Sequence, residues 1–589
     1  MHLTYSTSKY KGKTYKSYSL AESYRSEGTV RKKILFPLGK LTDEQALKIR
    51  YILQVVKEPQ KVLVSLEDVI PLRSVSYLDV AVVNQLWEEW DLSQGFKKGL
   101  TESSLSTPLV AKILTINRCL EPCSHYSIPE WLTTTALAEI LGCDLSELND
   151  DKIYYELNKI ELNKKYLEDY LFRKTYKRDP RSYDFINYDL SSSYFVGFKC
   201  KLSELGRSKD NKPHKKQVLL GIMVNDKGYP FKWDIFPGNV AETDTLKTII
   251  EVCHHRFKLK DISLVFDRGI VSENNLELVD SHELKYITAL DKDQIPQIPG
   301  VNLSVFLKLN PENIKEQVLT LPQFKKYDLR LFYRELGVKG EKRYLLAINP
   351  SLFLEERKTR EQKIKTFETF LRNKNEELKQ TKRTRKYDPT RRAIEEELAR
   401  LKIKKFFGEP KLKEIEVITK QKRTIKSYQV EIEKKTSKID EAALLDGVCA
   451  FVTNHVEKEQ GKFSFDAERI ISAYRDKTQI EDAFKNIKSF VKIRPFNVNT
   501  DEHVKAVYTI CVLAYFLNRD LANKRKQTEG RNFLNSNELY RPLRTCKLVT
   551  LKENIQNKKV SRSIELNKKQ EAILSNLNMD HLISGVSFV

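Results

Sequence analysis

Apolar positions in this chain change their period several times. From residue 1 to about 41 they alternate with basic ones, as in Tyr15-Lys16-Ser17-Tyr18-Ser19-Leu20 and Val30-Arg31-Lys32-Lys33-Ile34-Leu35. A period of two marks half-buried strands. Lys11-Gly12-Lys13 and Ser26-Glu27-Gly28 punctuate them as turns. A small antiparallel unit with a basic face is expected, a candidate grip on a phosphate backbone or a plain solvated face. Residues near 42–180 read mostly helical, for example Tyr77 to Trp90 and Glu130 to Leu141, without a helix-turn-helix signature.

From Tyr183 the pattern is that of a mixed sheet. Phe185-Ile186-Asn187-Tyr188-Asp189-Leu190 reads as a strand. A hairpin follows, Val218 to Val224 and Tyr229 to Phe236 around Asn225-Asp226-Lys227-Gly228. A helix from Thr243 to His255 leads to Ile262-Ser263-Leu264-Val265-Phe266-Asp267, a strand ending in an acid. Ser272 caps a helix over Glu273 to Ser281, before the strand Tyr286-Ile287-Thr288-Ala289-Leu290. Three strands, helix, strand, helix, strand is the order of a ribonuclease H-like domain. That fold would place Asp189 and Asp267 at one rim.

Residues 301–450 interrupt the fold, with strands at Tyr344 to Ile348 and Val430 to Ile432 and a charged stretch from Glu355 to Phe407. Asp388 and Pro389 break that stretch into two helices. Val448 to Val452 returns to the core, and Val504 to Leu517 reads as an apolar helix. The fold class is therefore α+β or α/β: a ribonuclease H-like mixed-sheet catalytic domain interrupted by a large insertion, preceded by β-rich and helical regions that are candidates for DNA binding. The expected divisions are 1–75 (β-rich), 76–180 (helical), 181–300 (first part of the catalytic domain), 301–447 (insertion), 448–525 (second part) and 526–589 (C-terminal region).

Charge narrows the partner. Lys and Arg number 103 against 80 Asp and Glu, a net +23 that suits DNA or RNA. With no 18-residue apolar run, lipidation signal or apolar leader in the sequence, an intracellular protein off the membrane is expected. Eight scattered cysteines read as reduced thiols. Cys119, Cys123, His125 and Cys143 match no common zinc spacing.

The third acid sits in Asp466 to Phe490, read as one helix. At about 100° per residue, Tyr474, Lys477, Glu481, Lys485 and Lys488 share an arc of roughly 80°. Ala473, Ile480, Phe484, Ile487 and Val491 form an apolar stripe beside it. Carboxylates from three separated segments suit a pair of hard cations about 4 Å apart, Mg²⁺ or alternatively Mn²⁺, in phosphoryl chemistry. Trp233 and Phe236 are candidates for stacking on a displaced base, with burial in the core the stronger reading.

Tyr474-(2)-Lys477-(3)-Glu481-(6)-Lys488 resembles the Tyr-(2)-Arg-(3)-Glu-(6)-Lys signature of bacterial DDE transposases in the insertion-sequence-four superfamily. Tyr188-Asp189-Leu190-Ser191-Ser192, Phe236-Pro237-Gly238-Asn239, Phe266-Asp267-Arg268-Gly269 and Leu445-Asp446-Gly447 resemble the same group, in the same order. The resemblance implies that Asp189, Asp267 and Glu481 are a metal-binding catalytic triad. It also implies that Tyr474, Lys477 and Lys488 hold the transposon end, with Arg475 and Lys485 as further candidate DNA contacts. Lys477 departs from the signature: the charge remains, but the planar fork of arginine is lost.

The implied function is a Mg²⁺-dependent DNA transposase that binds terminal inverted repeats of double-stranded DNA, cleaves a strand and joins it to target DNA. It would act as a homodimer in the bacterial cytoplasm, on the nucleoid. The alternatives are an inactive or repurposed DNA-binding protein of the same fold, or a ribonuclease H-like nuclease without joining activity.

Overall fold

The computed structural model describes residues 1–26, 28–58, 67, 69–100, 105–197, 199–206, 214–307, 309–418, 422–493, 496, 498–533, 535–553, 559–583 and 587–588. Two compact units result: Met1–Asp79 with Leu132–Gly142 and Leu543–Val589, and Val80–Trp131 with Cys143–Pro542.

In the first unit, His2–Tyr10, Lys13–Ser26 and Thr29–Gly39 form an antiparallel three-stranded sheet. Lys11 and Gly12 both have positive φ, as a two-residue hairpin turn matched to strand twist requires. The helix Asp43–Val56 starts in a capping box between Thr42 and Gln45, and its Ala46 packs on Leu3 and Tyr18. A second sheet joins opposite ends of the sequence: Val69–Ser76 pairs with Lys547–Glu553, followed by Lys559–Ser563 and Ser587–Phe588.

The second unit is built on a mixed sheet of nine strands. We label them β1 (Phe185–Tyr194), β2 (Gln217–Asn225), β3 (Pro230–Pro237), β4 (Ser263–Phe266), β5 (Lys285–Ala289), β6 (Lys325–Lys326), β7 (Phe332–Lys339), β8 (Lys342–Ile348) and β9 (Val448–Thr453). Their spatial order is β6-β7-β8-β9-β5-β4-β1-β2-β3. β1 runs antiparallel to β2 and parallel to β4, and β4 runs parallel to β5. The five strands β3-β2-β1-β4-β5 thus have the ribonuclease H-like order that the sequence suggests.

Alternation along the strands sorts side chains to two faces. One face carries Tyr188, Met223, Phe266 and Tyr286 into a single core. Helices α2 (Leu246–Glu251) and α3 (Glu273–Ser281) contribute Leu246, Ile249, Leu276 and Val279 to that core. The opposite face carries Val265, Ile287, Leu345 and Phe451. There α6 (Ala467–Arg475) adds Ile470, Ile471 and Ala473, while α7 (Thr478–Lys485) packs on β1 and β2.

The long apolar helix α8 (Asp501–Glu529) is tied to β2 and β3 by side chains: Tyr508 donates to Gly221 O and Trp233 Nε1 to Thr509 Oγ1. α1 (Asp150–Arg178) packs against α8. Between β8 and β9 lie α4 (Pro350–Lys379) and α5 (Tyr387–Leu401), with a two-stranded sheet of Lys411–Ile418 and Thr424–Glu431. Ile364, Phe367, Ile394, Leu398 and Val430 give this region its own core.

Candidate active site

The site begins with strand register. Tyr188 on β1 lies opposite Phe266 on β4, so the next residues, Asp189 in the middle of β1 and Asp267 just past the end of β4, lie on neighbouring parallel strands about 4.8 Å apart. Both follow residues of the inner core, which puts them on the face that α6 and α7 cover. Asp267 also starts a short turn, and its Oδ1 accepts the Arg268 N–H at 2.8 Å.

The third acid arrives on a helix that differs from the expected one. The segment 466–490 is not continuous: α6 ends at Arg475, α7 runs from Thr478 to Lys485, and residues 486–490 form a π-turn. The reason lies in the backbone bonding. Lys477 N–H reaches Tyr474 O and Gln479 N–H reaches Asp476 O, a three-residue spacing that overwinds the chain. Val491 N–H then bonds Asn486 O, which underwinds it. Lys488, placed by ideal periodicity on the acidic arc, is buried, whereas Lys485 is exposed.

Asp267, Tyr474, Arg475, Lys477 and Glu481 line one pocket of about 550 Å³, whose wall does not include Asp189, Lys485 or Lys488. Lys477 Nζ stands 3.0 Å from Asp267 Oδ1 and 4.0 Å from Glu481 Oε1. Tyr474 directs its hydroxyl toward Asp267 Oδ1 at 3.5 Å and stacks edge-on against Phe451. Arg475 turns away to pair with Asp328.

Burial works to raise the Asp267 carboxyl. The Lys477 charge and hydrogen bond, the Arg268 N–H and the Arg268 charge outweigh it and hold the group below the usual range. Burial first, and the Asp267 charge second, push the Tyr474 phenol well above its ordinary value. The cations Arg268, Lys292 and Arg330 also line the pocket. Lys292, on the loop after β5, was missed in the sequence.

The donor set of Asp189, Asp267 and Glu481 is all oxygen, the chemistry of a hard divalent ion. Lys477 already places one positive charge between two of these acids, so the gap admits a cation. Among the described residues, no three His, Cys, Asp or Glu side chains stand close enough together to hold a metal as they are. That includes the Cys119, Cys123, His125 and Cys143 set, and all eight cysteines are free. Trp233 is 1% exposed and belongs to the core. Phe236 is partly buried against the same sheet. Arg494 and Pro495 lie outside the described residues, as does Glu27 of the second hairpin turn. Among the described residues no helix is long and apolar enough to cross a membrane.

No curated protein matches the sequence. Among solved structures, the piggyBac transposase synaptic complex with hairpin DNA aligns with 79% of this chain and 76% of its own, at 9% identity and a TM-score of 0.30. A pre-cleavage Mos1 transpososome aligns over 30% of this chain and 58% of its own, at 12% identity and 0.14. A Mos1 paired-end complex with left transposon end aligns over 42% and 72%, also at 12% and 0.14. Scores this low carry no weight in the assignment, which rests on sequence families. Residues 3–63 match the N-terminal domain of IS1634 family transposases. Residues 197–517, more than half of the chain, match the transposase DDE domain, and the span includes β2 to β9, Asp267 and Glu481. The chain belongs to the DDE transposase family.

Proposed function

We propose that this protein is a working DNA transposase of the insertion-sequence-four superfamily, cutting at terminal inverted repeats of its own element and joining the freed 3′ end to target DNA. One observation carries the reading: the family match encloses the strand end and the helix that bring Asp267 and Glu481 to one pocket. Asp189 lies just upstream of the matched span, and its assignment rests on its register beside Asp267.

In this reading Asp189, Asp267 and Glu481 hold divalent ions, two Mg²⁺ with Mn²⁺ as substitute. When bound, such ions polarise the scissile phosphate and lower the pKa of an attacking hydroxyl. The chain's own part is to fix the carboxylates. β1 and β4 set two of them by register, and α7 delivers the third on a rigid element, held by buried Ile480, Ala483 and Phe484. Low proton affinity at Asp267 keeps it an anionic ligand through the neutral range. Tyr474, Lys477, Lys485 and Lys488 supply contacts for the transposon end, and Arg475 joins them when it leaves Asp328.

Residues 1–75 and 76–180 provide further DNA contacts, 301–447 form the insertion, whose strands β6 to β8 extend the catalytic sheet, and two protomers hold two ends in the bacterial cytoplasm. The test uses a duplex bearing the sequence that flanks the coding region. Glu481→Gln should abolish strand cleavage in Mg²⁺ while retaining duplex binding. Wild-type protein given pre-cut ends and a plasmid should yield a covalent insertion product. Cleavage without joining would reassign the chain to the nucleases, and full cleavage by the variant would remove Glu481 from the site.

A further inference from the structure

Two acids of the candidate site are already served by a cation of the chain's own. The Lys477 side chain is 8% exposed, with its ammonium 3.0 Å from Asp267 and 4.0 Å from Glu481. The carboxylates it serves remain 41% and 62% exposed, open from the pocket side. This is not the resting place of a long surface lysine. The overwound turn between α6 and α7 fixes its backbone through bonds to Tyr474 O and from Ile480 and Glu481 N–H. Its stem runs beside the Tyr474 ring, 5.3 Å from Nζ to the centroid.

A divalent ion drawn to the same oxygens meets that ammonium, and two like charges within a few ångströms at a partly buried site repel strongly. We propose that Lys477 is an internal latch: in the DNA-free chain its ammonium occupies the cation's place between Asp267 and Glu481, and a divalent ion binds there only as the ammonium moves out. The residue type suits the task. A lysine is a point charge on a flexible stem that can pivot, whereas the planar fork of arginine would grip a carboxylate with two bonds and resist release. Lys477 is thus a positioning residue that sets when the carboxylates become available.

The proposal rests on the site reading above, and the experiment separates the two. Mn²⁺ is titrated into the full chain without DNA, and free Mn²⁺ is read by electron paramagnetic resonance. Lys477→Met and Lys477→Gln should each bind Mn²⁺ at least tenfold more tightly than wild type. Lys477→Arg, which keeps the charge, should bind no more tightly than wild type. Unfolding curves check that each variant folds, and either neutral variant suffices. Equal affinity for wild type and a folded neutral variant would overturn the latch. Asp267→Asn or Glu481→Gln, added to Lys477→Met, should abolish the tight binding. Retention of tight binding in those double variants would instead overturn the metal-site reading.

Discussion

Tyr188 stands opposite Phe266 in parallel register, and this single pairing decides where two acids go. A shift of one residue would send Asp189 to the inner face among Ile186, Leu190 and Leu264, because side chains alternate along a strand. The register is held by large buried rings on that inner face, Tyr188, Phe266 and Tyr286, each 1% exposed or less. Packing on one side of the sheet thereby fixes the chemistry on the other.

Asp446 ties the Leu445-Asp446-Gly447 stretch to α4. It accepts two bonds of 2.6 Å from Arg360 and a longer one of 3.4 Å from Arg357, and is itself 2% exposed. Asp446→Ala would leave two enclosed guanidinium groups without their carboxylate. Breaking a buried pair from one side costs about 3–5 kcal/mol. The expected loss in urea unfolding is at the lower end of that range, with Asp446→Asn less damaging because it still accepts hydrogen bonds.

Trp233 fills the core between β3 and α8, and its indole N–H donates to Thr509 Oγ1 at 3.0 Å. Trp233→Phe leaves the Thr509 hydroxyl, wholly buried, without that donor. An unsatisfied buried group costs about 1–3 kcal/mol, so a stability loss of that size is expected. Duplex binding measured under folding conditions should be unchanged. A selective loss of binding at unchanged stability would return Trp233 to the base-stacking role.

Both outcomes bear on how much the sequence discloses. The succession of strands and helices, Asp267 at the end of β4 and the helix bearing Glu481 are legible because each depends on local period and on residues near one another in the chain, whereas β1 runs on past Asp189 to Tyr194. Tyr474, Lys477 and Glu481 share the pocket as the helical projection has them. Lys488 does not: it lies in an underwound turn that no regular projection of 466–490 contains. The pairing of Val69–Ser76 with Lys547–Glu553 is equally hidden, since nothing local to either strand specifies a partner from the other end of the sequence. Arg475, one of the further candidate DNA contacts, pairs in the fold with Asp328, on the loop before β7.

His455 gives the protein a pH-dependent stability independent of the active site. Its Nε2 meets Ser263 Oγ at 2.8 Å, and its ring stacks on Phe465 at 4.2 Å. Burial lowers its pKa to about 4. Glu457 opposes that shift, and Lys285, Arg343 and Arg469 reinforce it. A histidine kept neutral in the fold but free to protonate at its ordinary 6.5 when unfolded favours the folded state fully above pH 6.5. That contribution is lost as pH falls from 6.5 toward 4, because the unfolded chain binds the extra proton. Wild-type stability should therefore fall across this window by at most about 1.4 kcal/mol per pH unit from this group. His455→Gln should remove that part of the slope, read as the difference between two urea series at pH 7 and pH 5.

Gly238, in the stretch Phe236-Pro237-Gly238-Asn239, shows why a sequence signature need not mark chemistry. Its N–H donates to Leu202 O, and a Cβ there would lie 2.1 Å from Gln217 O and 2.7 Å from Glu204 O. Those two carbonyls belong to a mutual bridge in which Glu204 N–H bonds Gln217 O and Gln217 N–H bonds Glu204 O. Both obstructing atoms are backbone, so no rotamer change makes room. Gly238→Ala must push the 204 segment off the start of β2, at a cost of about 1–3 kcal/mol or more, as overpacking does. Asn239, the exposed neighbour in the same stretch, should tolerate alanine within about 0.5 kcal/mol. Urea unfolding of the pair decides the matter: a large loss at 238 with near-neutrality at 239 assigns the stretch to close backbone packing. The reverse pattern, or loss of DNA cleavage by a fully stable Asn239→Ala, would assign it to the reaction.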